Sequence, residues 1–317
     1  METRLDELTQ KTINVLKEKG YMVCQQLENK SFCFDIVARK NNVAILIKVL
    51  IDIDNFQEIQ ANDLKILSKI LFTKPFIMGE RTRAGLMEDG VVYQRFNIPA
   101  INLRTLHHIL KENLWPLVYA KRGGYYVKLN SETLKKIRET RQLSLKDIAD
   151  LLGVSRKAVY EYERGSMDTT LETASKLEDA LGLPLALPID IINWEIGELP
   201  EFKKIFKNEF QIMVERILSR LGLHTFHVQT APFDILASYE IFKLLTSLSD
   251  SSSRQNQQTI QILNSLSKLL DSNFIIVVDE NKESESVNGA PIISSDELKK
   301  FRKARDLLKR IEELTGI

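Results

Sequence analysis

Apolar and polar positions recur at helical spacing through the middle of the chain, between residues 134 and 183. Apolar residues return there every three or four positions, which places them on one face of a helix. The pattern predicts four short helices, at 131–140, from 144 to about 152, at 156–163 and at 171–181. The side chains that this pattern turns inward are Leu134, Ile137, Ile148, Ala149, Leu152, Val159 and Tyr162.

Residues that cap helices stand at the ends of these predicted helices. Ser144 can accept a hydrogen bond from the amide three residues on, where Asp147 completes a pair that resembles a capping box. Gly153 follows the second helix, where a left-handed backbone costs least. The other caps are expected at Asn130 or Ser131, at Ser155, and at Thr169 paired with Glu172. Helix, tight turn and helix together indicate a helix-turn-helix module.

The outward residues of the third helix form the candidate DNA-reading surface, because its apolar positions must face inward. In helix-turn-helix proteins the N-terminal part of that helix enters the major groove. Arg156 or Lys157 could donate to guanine O6 and N7, and Glu161 could accept from cytosine N4. Lys146 and Arg164, with the dipole at the start of the second helix, are candidates for phosphate contacts. The predicted DNA-binding residues are Ser144, Lys146, Ser155, Arg156, Lys157, Tyr160, Glu161 and Arg164.

The charge balance changes along the chain in a way that suits this surface. The whole chain has a formal net charge of +1, yet residues 121–166 hold 11 Lys and Arg against 6 Asp and Glu. A phosphate-binding surface needs such a local excess even when the whole chain is nearly neutral. A four-helix packing unit with a solvated charged face would show the same excess. Spacing, caps and charge agree with one another, however, and together favour DNA binding.

The module resembles the lambda-repressor/Cro (XRE) class of helix-turn-helix domains. The class often has Gln at the first position of the second helix, where it contacts DNA, whereas this chain has Leu145. Leu145 could instead pack on a neighbour or on a sugar. The order of segments around the module resembles archaeal HTH-type transcriptional regulators over essentially the full length. The residues that carry the resemblance to the class are Arg138, Ser144, Ile148, Ala149, Leu152-Gly153-Val154-Ser155, Val159, Tyr162-Glu163-Arg164-Gly165, Leu171-Glu172, Leu177 and Ala180-Leu181-Gly182.

A β-hairpin is predicted immediately before the module, at 117–129. Two β-prone runs flank Gly123-Gly124, which favours a two-residue turn at these glycines. Lys121, Arg122 and Lys128 could make this hairpin a basic wing on DNA. A hairpin that docks the module, or that pairs between subunits, explains the same pattern equally well.

Helices and strands alternate in both flanking segments, which indicates α/β domains. Before the module we expect a helix at 6–19, strands at 21–26, 32–39 and 43–51, a helix at 57–71, strands at 75–78 and 91–96, and a helix at 102–112. After it we expect a helix at 203–221, strands at 225–229, 233–238 and 242–248, a helix at 255–270, strands at 274–278 and 291–293, and a helix at 296–314. FDIVA at 34–38 echoes FDILA at 233–237, and LKILSKIL at 64–71 lines up with LNSLSKLL at 263–270. The shared order predicts an internal duplication around the module.

Helix, Phe-Asp strand, apolar strand and helix resemble the restriction-endonuclease/Holliday-junction-resolvase fold. Its nucleases hold Mg²⁺ with an Asp on one strand and the Glu of a Glu-x-Lys on the next. Asp35 stands at the first acid. One alignment then places Lys48 at the Glu and Leu50 at the Lys, and the other keeps Lys48 and places Leu46 at the Glu. Asp234 in the second copy precedes a strand without any Glu-x-Lys. We therefore expect two catalytically inactive domains without a metal, in which both aspartates cap or pair locally.

Composition narrows the class of protein. The 317 residues are 44% apolar and 27% charged, with a mean hydropathy of −0.16, which is typical of a globular chain of two or three domains. No apolar run approaches the roughly 18–20 residues of a membrane span, and the amino terminus lacks an apolar signal core. Cys24 and Cys33 form no disulfide framework, and the four histidines lack a metal-ligand constellation. We expect a cytoplasmic protein with no cofactor and no membrane partner.

The predicted organisation has five segments. A degenerate nuclease-like α/β domain at 1–116 is followed by a β-hairpin linker at 117–130, the helix-turn-helix domain at 131–183, a linker at 184–202 and a second nuclease-like domain at 203–317. The predicted fold class is duplicated, restriction-endonuclease-like α/β domains around an all-α, lambda-repressor-like domain. The predicted function is transcriptional regulation by sequence-specific binding of double-stranded DNA, without enzymatic activity. A homodimer is expected because one module reads only a few base pairs. A metal-dependent nuclease targeted by the module and a DNA-anchored adaptor protein remain as alternatives.

Overall fold

A computed structural model describes residues 2–24, 31–199, 206, 208–249, 257–279, 285–287 and 289–315. The chain divides into two compact units. We call residues 1–51, 55–77 and 195–317 the composite unit, and residues 52–54 and 78–194 the central unit. Parts of the strand predicted at 21–26 and of the helices predicted to begin at 203 and 255 lie outside the described residues.

The described residues form the following elements. The helices are α1 (Glu2–Glu18), α2 (Glu58–Ile70), α3 (Leu103–His107), α4 (Ser131–Thr140), α5 (Leu145–Leu152), α6 (Arg156–Arg164), α7 (Leu171–Leu181), α8 (Glu209–Arg220), α9 (Gln257–Leu270), α10 (Ser295–Lys300) and α11 (Ala304–Thr315). The strands are β1 (Met22–Cys24), β2 (Ile36–Lys40), β3 (Val43–Asp52), β4 (Lys74–Thr82), β5 (Gly85–Leu86), β6 (Val91–Arg95), β7 (Ile98–Ile101), β8 (Val118–Lys121), β9 (Gly124–Val127), β10 (Thr169–Thr170), β11 (His224–His227), β12 (Ile235–Tyr239), β13 (Phe242–Ser249), β14 (Asn273–Val278), β15 (Glu285–Val287) and β16 (Ala290–Ser294). No helix in these ranges is long and apolar enough to cross a bilayer.

The composite unit contains two α/β copies. In the first copy the strands lie in the order β1-β2-β3-β4, and β2 is antiparallel to both β1 and β3. In the second copy they lie in the order β11-β12-β13-β14-β16-β15, with β13 and β14 parallel. The central strand β3 is buried along most of its length, because an apolar run such as AILI fits a strand covered on both faces.

Equivalent residues of the two copies are separated by a constant 199 positions. The amide of Asp35 donates to the Ile47 carbonyl, and the amide of Val49 donates to the Asp35 carboxylate. The second copy repeats both bonds with the corresponding trio, Asp234, Thr246 and Leu248. Two residues with a left-handed backbone in the first copy also have counterparts at this spacing, the pairs being Asn41 with Glu240 and Phe72 with Asp271. The architecture therefore repeats as the sequence echoes predicted.

The central unit holds the helix-turn-helix bundle and a small set of strands. Its strands lie in the order β7-β6-β8-β9-β10, and only β6 and β8 in this series are parallel. Helices α4 to α7 enclose one apolar core, which strand β9 joins through Val127. All four helices of the module were predicted within about one residue of their observed ends.

Several sequence-based predictions of elements need correction. The helix predicted at 296–314 is two helices, because Phe301 is extended (φ −67°, ψ 143°) and the Ala304 amide donates to the Leu221 carbonyl instead of continuing α10. The helix predicted at 102–112 changes from α to π geometry at His108. Strand β7 was missed, because the preceding turn at Phe96-Asn97 (φ 49° and 63°) uses no glycine.

Candidate DNA interface

The start of α5 is fixed by a capping box. The Ser144 side chain accepts from the Asp147 amide at 3.2 Å, and the Asp147 carboxylate accepts from the Ser144 amide at 2.7 Å. That backbone bond, followed by the bond from the serine side chain and the charge of Lys146, holds the pKa of Asp147 below its usual value. Gly153 ends the helix in the left-handed region (φ 68°). Both predicted caps of α5 are therefore confirmed.

The caps of the neighbouring helices follow the same chemistry with one shift. Ser155 accepts from the Ala158 amide and begins α6, as predicted. Asn130 caps α4, which resolves the choice between Asn130 and Ser131. The cap of α7 is Thr170 rather than the predicted Thr169, because Thr169 pairs with β9 and is buried there.

The orientation of α6 is set by two buried side chains and a largely buried ion pair. Val159 and Tyr162 lie in the core of the module, as predicted. Beside them the Arg138 guanidinium donates to both carboxylate oxygens of Glu163, at 2.5 and 2.9 Å, and also to the Leu143 carbonyl. The hydrogen bonds to Glu163 raise the pKa of Arg138 above its usual value. The class pattern contains both charged residues, but the sequence alone did not reveal that they pair.

The predicted DNA-binding residues lie on the surface of α5 and α6, with one exception. Glu161 is only partly exposed, and its carboxylate accepts a hydrogen bond from the Ser166 hydroxyl. The Arg164 guanidinium stacks over the Tyr160 ring, 5.6 Å from its centre. Arg156 and Lys157 form no ion pair or side-chain hydrogen bond with any described residue. The exposed members of the set are Ser144, Lys146, Ser155, Arg156, Lys157, Tyr160 and Arg164.

Leu145, the departure from the class pattern, packs against the core of the module. It is partly buried, in contrast to its exposed neighbours at 144 and 146. The second helix therefore begins with an apolar contact where a Gln would offer a polar one.

The hairpin before the module is formed by β8 and β9, and it docks on the module. Lys121 pairs with Gly124, so that the two-residue turn is Arg122-Gly123 and not the predicted Gly123-Gly124. The pairing of β9 with β10 and the burial of Val127 hold the hairpin against the helices. The basic residues of the turn remain exposed.

The first nuclease-like copy does not fit the Mg²⁺ site of its fold. One oxygen of Asp35 accepts from the Val49 amide at 2.6 Å, and the other lies 3.1 Å from the Lys48 ammonium. Burial, which outweighs the nearby Lys48 charge, raises the pKa of Asp35. This pair supports the alignment that keeps Lys48 and places Leu46, which is fully buried, at the missing Glu. Among the described residues no group of three or more His, Cys, Asp or Glu could hold a metal ion.

Fold and site together define an XRE-type helix-turn-helix protein with a nuclease-like domain. Residues 134–187 match a family model described as helix-turn-helix. Residues 5–116 match a model described as a PD-(D/E)XK superfamily domain. The second α/β copy repeats the architecture of the first, but these two matches do not include it.

Relatives cover nearly the whole chain. A protein of Archaeoglobus fulgidus is 35% identical over 308 residues, which are 96% of this chain and 97% of the relative. Proteins of Methanocaldococcus jannaschii and Pyrococcus furiosus are each 35% identical over 311 residues, covering 97% and 98% of this chain and 96% and 98% of the relative. All three are named "Putative HTH-type transcriptional regulatory protein". The chain belongs to this family of archaeal proteins.

Proposed function

We propose that this chain regulates transcription by binding specific DNA sequences with α6 in the major groove. The observation that carries the proposal is the exposed N-terminal half of α6, where Arg156 and Lys157 extend from a helix that Val159 and Tyr162 anchor. A basic helix surface on a rigid support is what base reading requires, because the side chains must reach the base edges in a fixed register.

The residues of this surface have different roles in the proposal. Arg156 and Lys157 donate to guanine, and Tyr160 lies beside them on the same exposed face. Ser144, Ser155, Lys146 and Arg164 contact phosphates at and beside the helix N-termini. Glu161 accepts from cytosine N4 through its second carboxylate oxygen, since the Ser166 hydroxyl occupies only one of the two.

The flanking domains serve as non-catalytic scaffolds in this proposal. Residues 1–116 and 203–317 form the two nuclease-like domains, 117–130 the hairpin, 131–183 the module and 184–202 the linker. The missing second carboxylate beside Asp35 supports the absence of nuclease activity. The active species is a cytoplasmic homodimer on double-stranded DNA, because two modules double the contacts that one can make.

Selection of bound duplexes from genomic fragments, with Mg²⁺ present, tests the proposal. At physiological salt we expect intact, enriched fragments that share a site of two-fold symmetry, with half-sites about 34 Å apart. The products are then separated on a denaturing gel. Cleaved fragments would contradict the scaffold assignment, and retention of all fragments without enrichment would favour an adaptor that only anchors to DNA.

The Arg156→Ala variant tests the site itself. We expect it to lose roughly 1–3 kcal/mol of discrimination at one base pair of the selected site. Lys176→Ala is the matched control, since it removes one cation from α7 whose partner is Glu172. If Arg156→Ala weakens binding equally on all sequences, Arg156 contacts a phosphate rather than a base.

The homodimer is tested by light scattering, in which a mass near 36.4 kDa would contradict it.

A further inference from the structure

The β8–β9 hairpin is joined to the segment that directly follows α6. Only four residues separate the end of α6 from β10, and β10 pairs with β9 through Thr169 with Val127 and Thr170 with Tyr126. The Tyr119 hydroxyl on β8 donates to the Asp168 carboxylate in the same segment, at 2.6 Å. Both strands of the hairpin are thus hydrogen-bonded to the segment that directly follows α6.

A second brace holds the hairpin from its other strand. The Tyr125 hydroxyl donates to the Glu88 carboxylate at 2.7 Å, next to β6. Hydrogen bonding with Tyr93 and Glu88 raises the pKa of Tyr125 above its usual value. The hairpin is therefore held by strand pairing and by one tyrosine on each strand.

The tip of this braced hairpin is basic and lacks counter-charges. Lys121 and Arg122 are exposed, and neither makes an ion pair or side-chain hydrogen bond with a described residue. Some exposed cations of the central unit do have partners, for example Arg104 with Asp89 and Lys176 with Glu172, whereas Arg156 and Lys157 on α6 share the unpaired state of the tip among the described residues. Gly123 (φ 101°) permits the tight turn that brings both cations to the outermost point.

The tip also lies close to the segment that directly follows α6. From Tyr126, which pairs with β10, the turn lies three residues away along β9. At about 3.3 Å per residue this is roughly 10 Å, which is less than the width of the major groove.

We propose that Lys121 and Arg122 form a phosphate-binding wing, which contacts the DNA backbone beside the site read by α6. This inference rests on the proposed function and adds a second contact element to it. The wing carries no base-reading geometry, because its cations sit on a turn and the helix already occupies the groove. It should therefore add affinity equally to all sequences and leave the choice of sequence to α6.

Salt-dependent binding of the full chain tests the wing. The probes are two fluorescein-labelled duplexes of about three helical turns, one of mixed sequence and one enriched by the selection above. Fluorescence anisotropy gives the affinity over a series of NaCl concentrations for the unmodified chain, Arg122→Ala, Lys121→Ala/Arg122→Ala and the paired-cation control Lys176→Ala. Circular dichroism melting and light scattering of each variant report on folding and oligomeric state.

We expect Arg122→Ala to lower the affinity for both duplexes by the same factor, about fivefold near 0.15 M salt, and to reduce the slope of log affinity against log salt by about 0.9 for each bound subunit. The double variant should show twice that change in slope, whereas Lys176→Ala should show little.

Three results would overturn the wing. In the first, Arg122→Ala shows the same slope of log affinity against log salt as Lys176→Ala, while Arg156→Ala still loses specificity. This result would reject the wing and leave the proposed function intact. The double variant could lower the measured mass, which would make the hairpin a contact between copies. Absence of salt-sensitive binding by the unmodified chain would reject the proposed function together with the wing.

Discussion

At the scale of single residues, the module depends on a charged pair as much as on apolar packing. Arg138 and Glu163 join α4 to α6, and their side chains are only 14% and 6% exposed. A planar guanidinium that donates to both oxygens of a carboxylate fixes direction as well as distance. Class resemblance marked both residues in the sequence, but their pairing could not be read from a spacing of 25 residues.

Arg138→Ala should destabilise the protein by about 3 kcal/mol, because it leaves the Glu163 charge buried without its main partner. Arg138→Lys should recover only part of this loss, since an ammonium cannot form the two parallel bonds. Chemical denaturation measures both effects. The control Lys176→Ala breaks the exposed pair with Glu172 and should cost under about 0.5 kcal/mol. Equal effects of the two alanine variants would contradict a special role for Arg138.

The Asp35–Lys48 pair gives a second residue-scale prediction. Asp35→Asn and Lys48→Met should each destabilise the protein, because each leaves a buried charge without its counter-charge. The double variant should lose less than the sum of the two single losses, with a coupling of about 1–3 kcal/mol. Denaturation of all four proteins completes the cycle. Strict additivity would show that the two side chains do not interact.

The raised pKa of Asp35 also sets the sign of a pH effect. A carboxyl group whose pKa is higher in the folded state binds its proton more tightly there, so its contribution to stability is complete below the usual pKa and is lost as pH rises through the raised value. The unmodified chain should therefore gain stability relative to Asp35→Asn as the pH falls toward 4. Denaturation at several pH values measures this difference, and the opposite trend would show a lowered pKa.

At the scale of elements, predictability depends on whether the signal is local. The helices of the module were predicted well, because Ser144, Ser155 and Gly153 mark their ends by chemistry that acts within one turn. The break between α10 and α11 was not predicted, because the amphipathic pattern continues across Phe301. A distant carbonyl, that of Leu221, accepts the hydrogen bond of the Ala304 amide. Competition between local pattern and tertiary contact decides such cases.

Two helix-ending glycines allow backbone strain to be separated from steric contact. Gly153 and Gly165 have the same φ of 68°, but a Cβ at Gly153 would meet nothing within 4 Å, whereas one at Gly165 would lie 3.1 Å from the Ser131 hydroxyl. Gly153→Ala should cost about 1 kcal/mol, the strain of a left-handed alanine. Gly165→Ala should cost more stability than Gly153→Ala, and thermal denaturation of both variants measures the difference.

The Ser131 hydroxyl provides the control for this comparison. Adding Ser131→Ala to Gly165→Ala should remove the excess cost, while adding it to Gly153→Ala should not help. If the two glycine variants are equally stable, contact with Ser131 does not contribute.

At the scale of the whole molecule, the composite unit consists of two similar domains that contact each other reciprocally. The β2–β3 hairpin of the first copy reaches the end of α9 through Arg39 and Asp271. The β12–β13 hairpin of the second copy reaches the end of α2, where Lys243 lies 5.1 Å from the centre of the Phe72 ring. Such an exchange of equivalent contacts is typical of a two-fold interface. The sequence echoes predicted the duplication, but contacts across about 170 to 230 residues leave no periodic signal.

A buried polar contact between these copies is made by Asp63, which is 5% exposed on α2. Its carboxylate accepts from the amides of Gln229 and Thr230 and from the Thr230 hydroxyl, all at 2.7–2.8 Å. Asp63→Ala should therefore cost about 2–4 kcal/mol, since hydrogen bonds to a charged group are the stronger kind and the three donors lose their acceptor.

Amide hydrogen exchange at residues 229 and 230 distinguishes this contact from a general loss of stability. In Asp63→Ala these two amides should exchange faster than the global loss of stability explains, because their acceptor is gone. Asp63→Asn keeps one acceptor oxygen and should give an intermediate result. Asp271→Ala, at the exposed contact with Arg39 (the Asp271 side chain is 73% exposed), should leave exchange at 229 and 230 unchanged. Unaltered exchange in Asp63→Ala would mean that other contacts hold the two copies together, and that Asp63 only fills a polar site between them.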